Sequence, residues 1–261
     1  FMNNGRVYVE KVYEIPEGTR TSKGRSLANV LELQKGEQIA AMVCIKDFSP
    51  DKNIIFCTRN GVVKRTSLEL YANTRRGGII GIKINEGDQL ISVKQTDGNN
   101  EVVLISQKGM GIRFNEDQVR LMGRAAAGVN GMRLLGKDTV KAMEIVDPKC
   151  TLLIAGINGV GKRTPFDDDE GSVYRKQKRG GQGVIAIRNE KGVAGALSVH
   201  ENDEIMMLTQ SGQAVRSPVK DIRQTGRAAQ GVRLIRLDDG DKLIGLCKVV
   251  EVDDAAVDEQ A

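Results

Sequence analysis

Five times along this 261-residue chain a turn glycine is closely followed by a basic residue, and this repeat constrains the fold more than any other feature. The copies open at Asn4-Gly5-Arg6, at Asn60-Gly61 before Lys64 and Arg65, and at Lys108-Gly109 before Arg113. Two more open at Asn158-Gly159 before Lys162 and Arg163, and at Ser211-Gly212 before Arg216. The mean spacing is about 52 residues, the length of one propeller blade. A second glycine (Gly24, Gly78, Gly128, Gly183, Gly231) follows the first by 19, 17, 19, 24 and 19 residues. In four copies an arginine stands four residues before it: Arg20, Arg124, Arg179 and Arg227. Two phased glycines and a phased arginine mark one structural unit used repeatedly. The repeats fall at approximately 1–50, 51–98, 99–148, 149–202 and 203–250.

Local patterns give each unit β structure. Asn53 to Thr58 and Gly61 to Ser67 flank Asn60-Gly61, a strong hairpin signal because both residues tolerate positive φ. The design returns around Asn158-Gly159 and Ser211-Gly212. Another apolar run follows each second glycine, for example Ile79 to Ile84 and Val232 to Leu237, and a polar turn then leads to one more. About four strands per repeat are expected, so the fold class is all-β and propeller-like. Ser67 to Tyr71 and Val219 to Ile222 are expected to add only helical turns. Few residues precede Asn4-Gly5 to form the incoming arm of its hairpin, so a further repeat is expected upstream.

Composition narrows the function. Net charge is +5, yet Glu251 to Ala261 holds five acids and no base, leaving +10 on residues 1–250. A basic body favours polyanionic partners, and the acidic segment 251–261 is expected to be disordered. Aromatics are 3% of residues, which argues against a surface that stacks single-stranded bases. Cys44, Cys57, Cys150 and Cys247 are scattered, with no CxxC and a lone His200. Zinc sites use clustered ligands, so no metal site is expected. No apolar run approaches the roughly 18 residues that span a bilayer, and a cytoplasmic location is expected.

Gly156 to Arg163 nearly matches the phosphate-binding GxxxxGK[ST] loop. Arg163 stands where the metal-binding hydroxyl belongs, and the repeat places the segment in a strand–turn–strand hairpin instead of before a helix. Nucleotide binding is not expected there. A single histidine and the crowded acids Asp167 to Glu170 make no acid–base constellation, so no catalytic residue is assigned. Gln177-Lys178-Arg179-Gly180-Gly181-Gln182-Gly183 is different. The segment from Gly171 to Asn189 carries Arg175, Lys176, Lys178, Arg179 and Arg188. Its glycines bare the backbone, so amides could form a nest for oxygen anions beside lysine charge and the arginine fork. Nothing in it reads a base edge, so the DNA backbone is the suited ligand. Weaker versions recur around Arg75 and Arg76, Arg124 and Arg227.

QKRGGQG resembles the gyrase-A box, roughly Q-[RK]-R-G-G-[RK]-G. The five repeats resemble the C-terminal β-pinwheel of the DNA gyrase A subunit over essentially the whole chain, through GRVYVEKVYEIPEGTRTSKGR, ANTRRGGIIGIKINEGDQLI, IRFNEDQVRLMGR and GRAAQGVRLIRL. The resemblance implies a module that binds, bends and wraps duplex DNA in a fixed hand within an ATP-driven topoisomerase of composition A2B2. Contacts would come from Arg175, Lys176, Gln177, Lys178, Arg179, Gly180, Gly181, Gln182 and Gly183. Arg20, Lys23, Arg25, Arg75, Arg76, Arg124 and Arg227 would extend them. This chain would need no cofactor, since ATP and magnesium belong to the rest of that complex, as does the catalytic tyrosine. Two departures stand out: Gln182 replaces a usual cation, and the box lies in the fourth visible repeat, whereas the family places its principal box in the first blade. The family fold has about six blades, so the resemblance implies that five of six repeats are visible and that QKRGGQG is a secondary, box-like copy. The alternatives are the corresponding domain of topoisomerase IV, which lacks a good box, and a propeller that docks only protein. A protein-docking rim would carry aromatic or apolar anchors in place of phased cations.

Overall fold

The computed structural model describes residues 1–18, 22–168 and 173–249. Arg20, Gly171 and the acidic segment 251–261 lie outside them. The chain is all-β, made of small antiparallel sheets with short 3-10 turns such as Leu68–Tyr71 and Val219–Asp221.

Each hairpin forms where the glycine signal placed it. Asn53–Thr58 pairs with Val62–Ser67, with Cys57 opposite Val63, and Gly61 supplies the positive φ of the turn. Leu90–Thr96 adds a third strand on the other edge of Asn53–Thr58. All six residues of Asn53–Thr58 are buried, so this strand is covered on both faces and its apolar run does not alternate. The plan repeats at Glu101–Ser106, Met110–Asn115 and Val140–Ile145. It returns at Thr151–Gly156, Val160–Pro165 and Val193–Val199, and at Glu204–Thr209, Ala214–Pro218 and Leu243–Val249.

The expected four strands are present in each repeat from the second to the fifth, but they do not share one sheet. Each of these repeats gives three strands to its own sheet and sends the short strand after its second glycine to the sheet of the preceding repeat. Val129–Asn130 thus pairs with Val62–Ser67, and Val232–Arg233 pairs with Val160–Pro165. Ile79–Ile80 does the same on Arg6–Val7. The second glycine makes this crossing possible. At Gly183 φ is +84°, and an added Cβ would lie 2.3 Å from the Gly111 carbonyl oxygen. A side chain there is excluded both by backbone conformation and by the strand it lies against. Ala214–Pro218 receives no such strand among the described residues, and its first three residues are exposed.

The chain forms two compact units. Among the described residues, the first comprises those of 1–106, 111–145 and 176–184, and the second those of 107–110, 146–175 and 185–249. In the first, Val7, Ile54, Phe56, Leu68, Tyr71, Ile82, Leu90 and Val93 form a core, with Phe1 edge-on to Phe56 at 5.5 Å. In the second, Leu153, Ala155, Val199, Ile205, Met207, Val219, Ile222, Ile235 and Leu243 do so. Scarce aromatics such as Phe56, Tyr71, Phe114, Phe166 and Tyr174 are buried in these interiors.

Candidate nucleic-acid interface

The strand exchange hangs the phased loops of the third, fourth and fifth repeats on the repeat before each. Arg65, Arg113 and Arg163, the arginines that follow the hairpin turns, form single parallel bridges to Leu121, Lys176 and Gln224. Each bridge lies three residues before a phased arginine, Arg124, Arg179 or Arg227. The hairpin arginines are themselves held by acids. Arg113 Nε donates to Glu101 at 2.6 Å, and Arg163 pairs with Glu201. They are therefore supports for the loops.

Within the first unit the loop 177–183 is fastened at several points. The Gln177 amide donates to the Arg113 carbonyl at 2.8 Å, and the Gly180 amide donates to that of Gly131 at 2.7 Å. The Arg133 amide returns a bond to the Gly181 carbonyl at 2.8 Å. The Arg179 amide donates to Gln118 Oε1 at 2.9 Å. Its guanidinium donates to the carbonyls of Gln118 at 2.7 Å and Asn130 at 2.9 Å. The amides of Gln177, Arg179 and Gly180 are thus already bonded within the protein, so of the three glycines expected to bare a nest, Gly180 has its amide occupied. The glycines have a different use. An added Cβ at Gly181 would meet Ile112 Cδ1 at 3.4 Å, so Gly181 lies over that side chain, while Gly180 takes φ of +80°.

Side-chain charge remains to face a ligand. Lys178 and Gln182 are exposed, and Arg179 is partly so. Since two of its five N–H donors are used on carbonyls, three are left for an anion. Lys176 is exposed but pairs with Glu101, which also holds Arg113. Burial raises the Glu101 carboxyl, but hydrogen bonds and charge from Lys176 and Arg113 outweigh it and hold the group below its ordinary value. Arg175 is exposed in the second unit.

Two cations of the repeat signature are wholly internal. Lys64 and Lys162 have no exposed surface. Lys162 Nζ donates to the carbonyls of Gly226, at 2.6 Å, and Arg227. Lys64 Nζ donates to those of Gly81, at 2.5 Å, and Arg124. Burial first, then the charge of Arg124 or Arg227, lowers Lys64 to about 7 and Lys162 to about 8. These lysines shape the loops that carry Arg124 and Arg227. The segment Gly156 to Arg163 is a strand, a turn and a strand, and its lysine is turned inward, which leaves it no phosphate-binding geometry. In the third repeat Ile112 takes the place of the lysine, and the loop lying on it is the glycine-rich one.

The other sequence-assigned residues divide. Lys23, Arg25, Arg75 and Arg76 are exposed. Arg75 and Arg76 line a groove with Glu10 and Glu14, so acids oppose their charge. Arg227 is half-buried and donates Nη1 to the Ile185 carbonyl, as Arg179 does to that of Asn130, and Arg124 is half-buried too. In the second unit a groove beside the exchanged strand is lined by Arg188, Lys191 and Arg233 with Glu190, Asn158 and Gln230. Lys191 and Arg233 were not assigned from sequence. Their signal was position: Arg233 belongs to the exchanged strand itself, and Lys191 lies six residues beyond another, Val184–Ile185.

A family model described as DNA gyrase C-terminal domain, beta-propeller, matches residues 3–46, 52–97, 100–147, 151–195 and 203–246. The A subunit of DNA gyrase from Salmonella typhimurium strain LT2 is 40% identical over 262 residues, covering 99% of this chain and 29% of that protein. Its counterpart from Lawsonia intracellularis is 39% identical over 265 residues, covering 99% and 31%. This chain therefore spans less than a third of the length of these relatives. Among solved structures, the C-terminal domain of DNA topoisomerase IV matches with TM-score 0.85 and 28% identity, over 95% of this chain and 77% of that one. A DNA gyrase A C-terminal domain matches with TM-score 0.81 and 28% identity, over 95% and 80%.

Proposed function

Because this chain belongs to the DNA gyrase C-terminal domain family, we propose that it binds duplex DNA without sequence preference, bends it and wraps it in a fixed hand. The observation that carries this reading is the kind of cation left outward. Exposed Lys178 and the spare donors of Arg179 suit phosphate oxygens, which position a duplex and encode no sequence. Arg188, Lys191 and Arg233 add a second group of phosphate donors. Bending a site of 20–30 bp by 40–90° costs on the order of 1–6 kcal/mol, so several such contacts must act together to offset it. At Lys178, Arg179, Arg188, Lys191 and Arg233 the outward groups are charged and none is aromatic, which favours DNA over a protein partner at these positions.

The cleavage and ATP-using activities would lie in the rest of a whole gyrase. The reading places the chain in an A2B2 gyrase whose other parts cleave DNA and use ATP and magnesium, so that a handed wrap turns strand passage into negative supercoiling. It would act in the bacterial cytoplasm on the nucleoid. No helix among the described residues is long and apolar enough to cross a membrane. Over the topoisomerase IV alternative, gyrase is favoured by the QKRGGQG loop and by the identity to gyrase relatives.

A topology assay tests the reading. Nicked circular DNA is ligated in the presence of the chain, then stripped of protein and resolved by gel. A linking-number shift of one sign, reduced by Lys178→Ala combined with Arg188→Ala and Arg233→Ala, is the expected outcome. No shift at saturating protein would overturn wrapping, and a symmetric spread would overturn handedness.

A further inference from the structure

We infer that Asp147, Cys150 and His200 form a binding site for a borderline divalent transition ion of the zinc class. Their donor atoms lie within 4.8 Å of one another. His200 Nε2 is 3.7 Å from Asp147 Oδ2. Zinc holds sulfur at about 2.3 Å and nitrogen or oxygen at about 2.0–2.2 Å, which sets tetrahedral donors roughly 3.3–3.7 Å apart. The His–Asp pair is already at that separation, and the Cys150 sulfur lies within 4.8 Å of both. Cysteine, histidine and aspartate together select zinc over magnesium or calcium, which prefer oxygen donors alone.

The backbone preorganises all three. Thr151 is paired with Val199, so Cys150 and His200 are the next residues facing each other across adjacent antiparallel strands. Asp147 is brought in by a turn: the Cys150 amide donates to the Asp147 carbonyl at 2.9 Å. The Lys149 amide donates to Asp147 Oδ1 at 2.9 Å, leaving Oδ2 toward His200. Behind the histidine, its amide donates to Asp203 Oδ2 at 2.8 Å, and that carboxylate also holds Lys248. Cys150 is buried, while the side chains of Asp147 and His200 are 45% and 46% exposed, so an ion has an entry path and a position for water. Bound there, it would tie the turn before Thr151–Gly156 to the turn after Val193–Val199. Linear spacing conceals the site, because 50 residues separate the thiol from the imidazole.

Binding converts the Cys150 thiol to a metal thiolate and releases its proton to solvent, so uptake strengthens as pH rises. The test uses the reduced 261-residue chain and cobalt(II) as the probe. Wild type is expected to show a near-ultraviolet thiolate-to-cobalt band that zinc(II) removes. The Cys44→Ser/Cys247→Ser double variant, which lacks the exposed thiols, should keep the band. Cys150→Ser should lose it, and so should His200→Ala, whose exposed position guards against a loss caused by misfolding. Zinc should raise the melting temperature of wild type and leave that of His200→Ala unchanged. Absence of the band in wild type, or its retention in Cys150→Ser or His200→Ala, overturns the site.

Discussion

Lys162 reaches the backbone carbonyl of Arg227 from inside the protein, so a cation that looks from sequence like a surface contact instead sets the position of another cation 65 residues away. Lys64 and Arg124 repeat the relationship. A lysine in this position gives the loop carbonyls a donor that water cannot reach. Its removal leaves part-buried acceptors without their internal donor.

Lys162→Met should therefore destabilise the chain by about 1–3 kcal/mol, the usual cost of orphaned buried polar groups. Denaturant unfolding measures it directly. A variant as stable as wild type would mean that the Gly226 and Arg227 carbonyls find other donors.

The same lysines predict a pH dependence. Their folded values, about 7 and 8, lie below the ordinary lysine value, so between those values and roughly 10.4 the unfolded chain binds more protons than the folded one. Unfolding free energy attributable to them should rise with pH across that window and be flat below about 7. The Lys64→Met/Lys162→Met double variant should lose the rise. Equal pH profiles for both proteins would refute the assignment.

Lys178 and Arg179 are adjacent, but their substitutions should separate. Lys178→Ala is expected to leave stability within about 0.5 kcal/mol of wild type. It should make log K against log[salt] shallower by roughly 0.9 for each phosphate that the lysine neutralises. Arg179→Ala should weaken DNA binding and also lower the melting temperature, because it breaks bonds to the Gln118 and Asn130 carbonyls. Binding isotherms at several salt concentrations, with a thermal melt of each variant, distinguish the two. A destabilised Lys178→Ala or a fully stable Arg179→Ala would contradict the geometry.

Two glycines of one loop should also differ. Gly183→Ala meets the Gly111 carbonyl at 2.3 Å with φ of +84° and should cost more than about 1 kcal/mol. Gly181→Ala meets nothing nearer than Ile112 Cδ1 at 3.4 Å, an ordinary van der Waals contact, so its stability should stay close to wild type. Any loss of DNA affinity in that variant then reports the approach of the ligand. Melting temperatures of the pair decide the matter.

Glu101→Gln should tighten DNA binding at low salt while lowering stability. The carboxylate neutralises Lys176 and supports Arg113. Since its folded value is depressed, its stabilising effect is present above the ordinary glutamate range and lost as pH falls through the folded value. Affinity unchanged at low salt would show that Lys176 contributes nothing to the DNA surface.

What the sequence determined by itself was local and periodic. Asn60-Gly61 and Asn158-Gly159 announced their hairpins because positive φ is a property of the residues in the turn. The phased second glycines announced a unit repeated five times. Tertiary structure decided which sheet Val129–Asn130 joins, that Lys162 points inward, and that Arg179 clips onto Asn130. It alone brought Cys150 to His200. Turn conformation depends on neighbours in the chain. The fate of a cation depends on which carbonyls or carboxylates surround it, and the crossing of one repeat's strand into the preceding sheet draws those groups from other repeats.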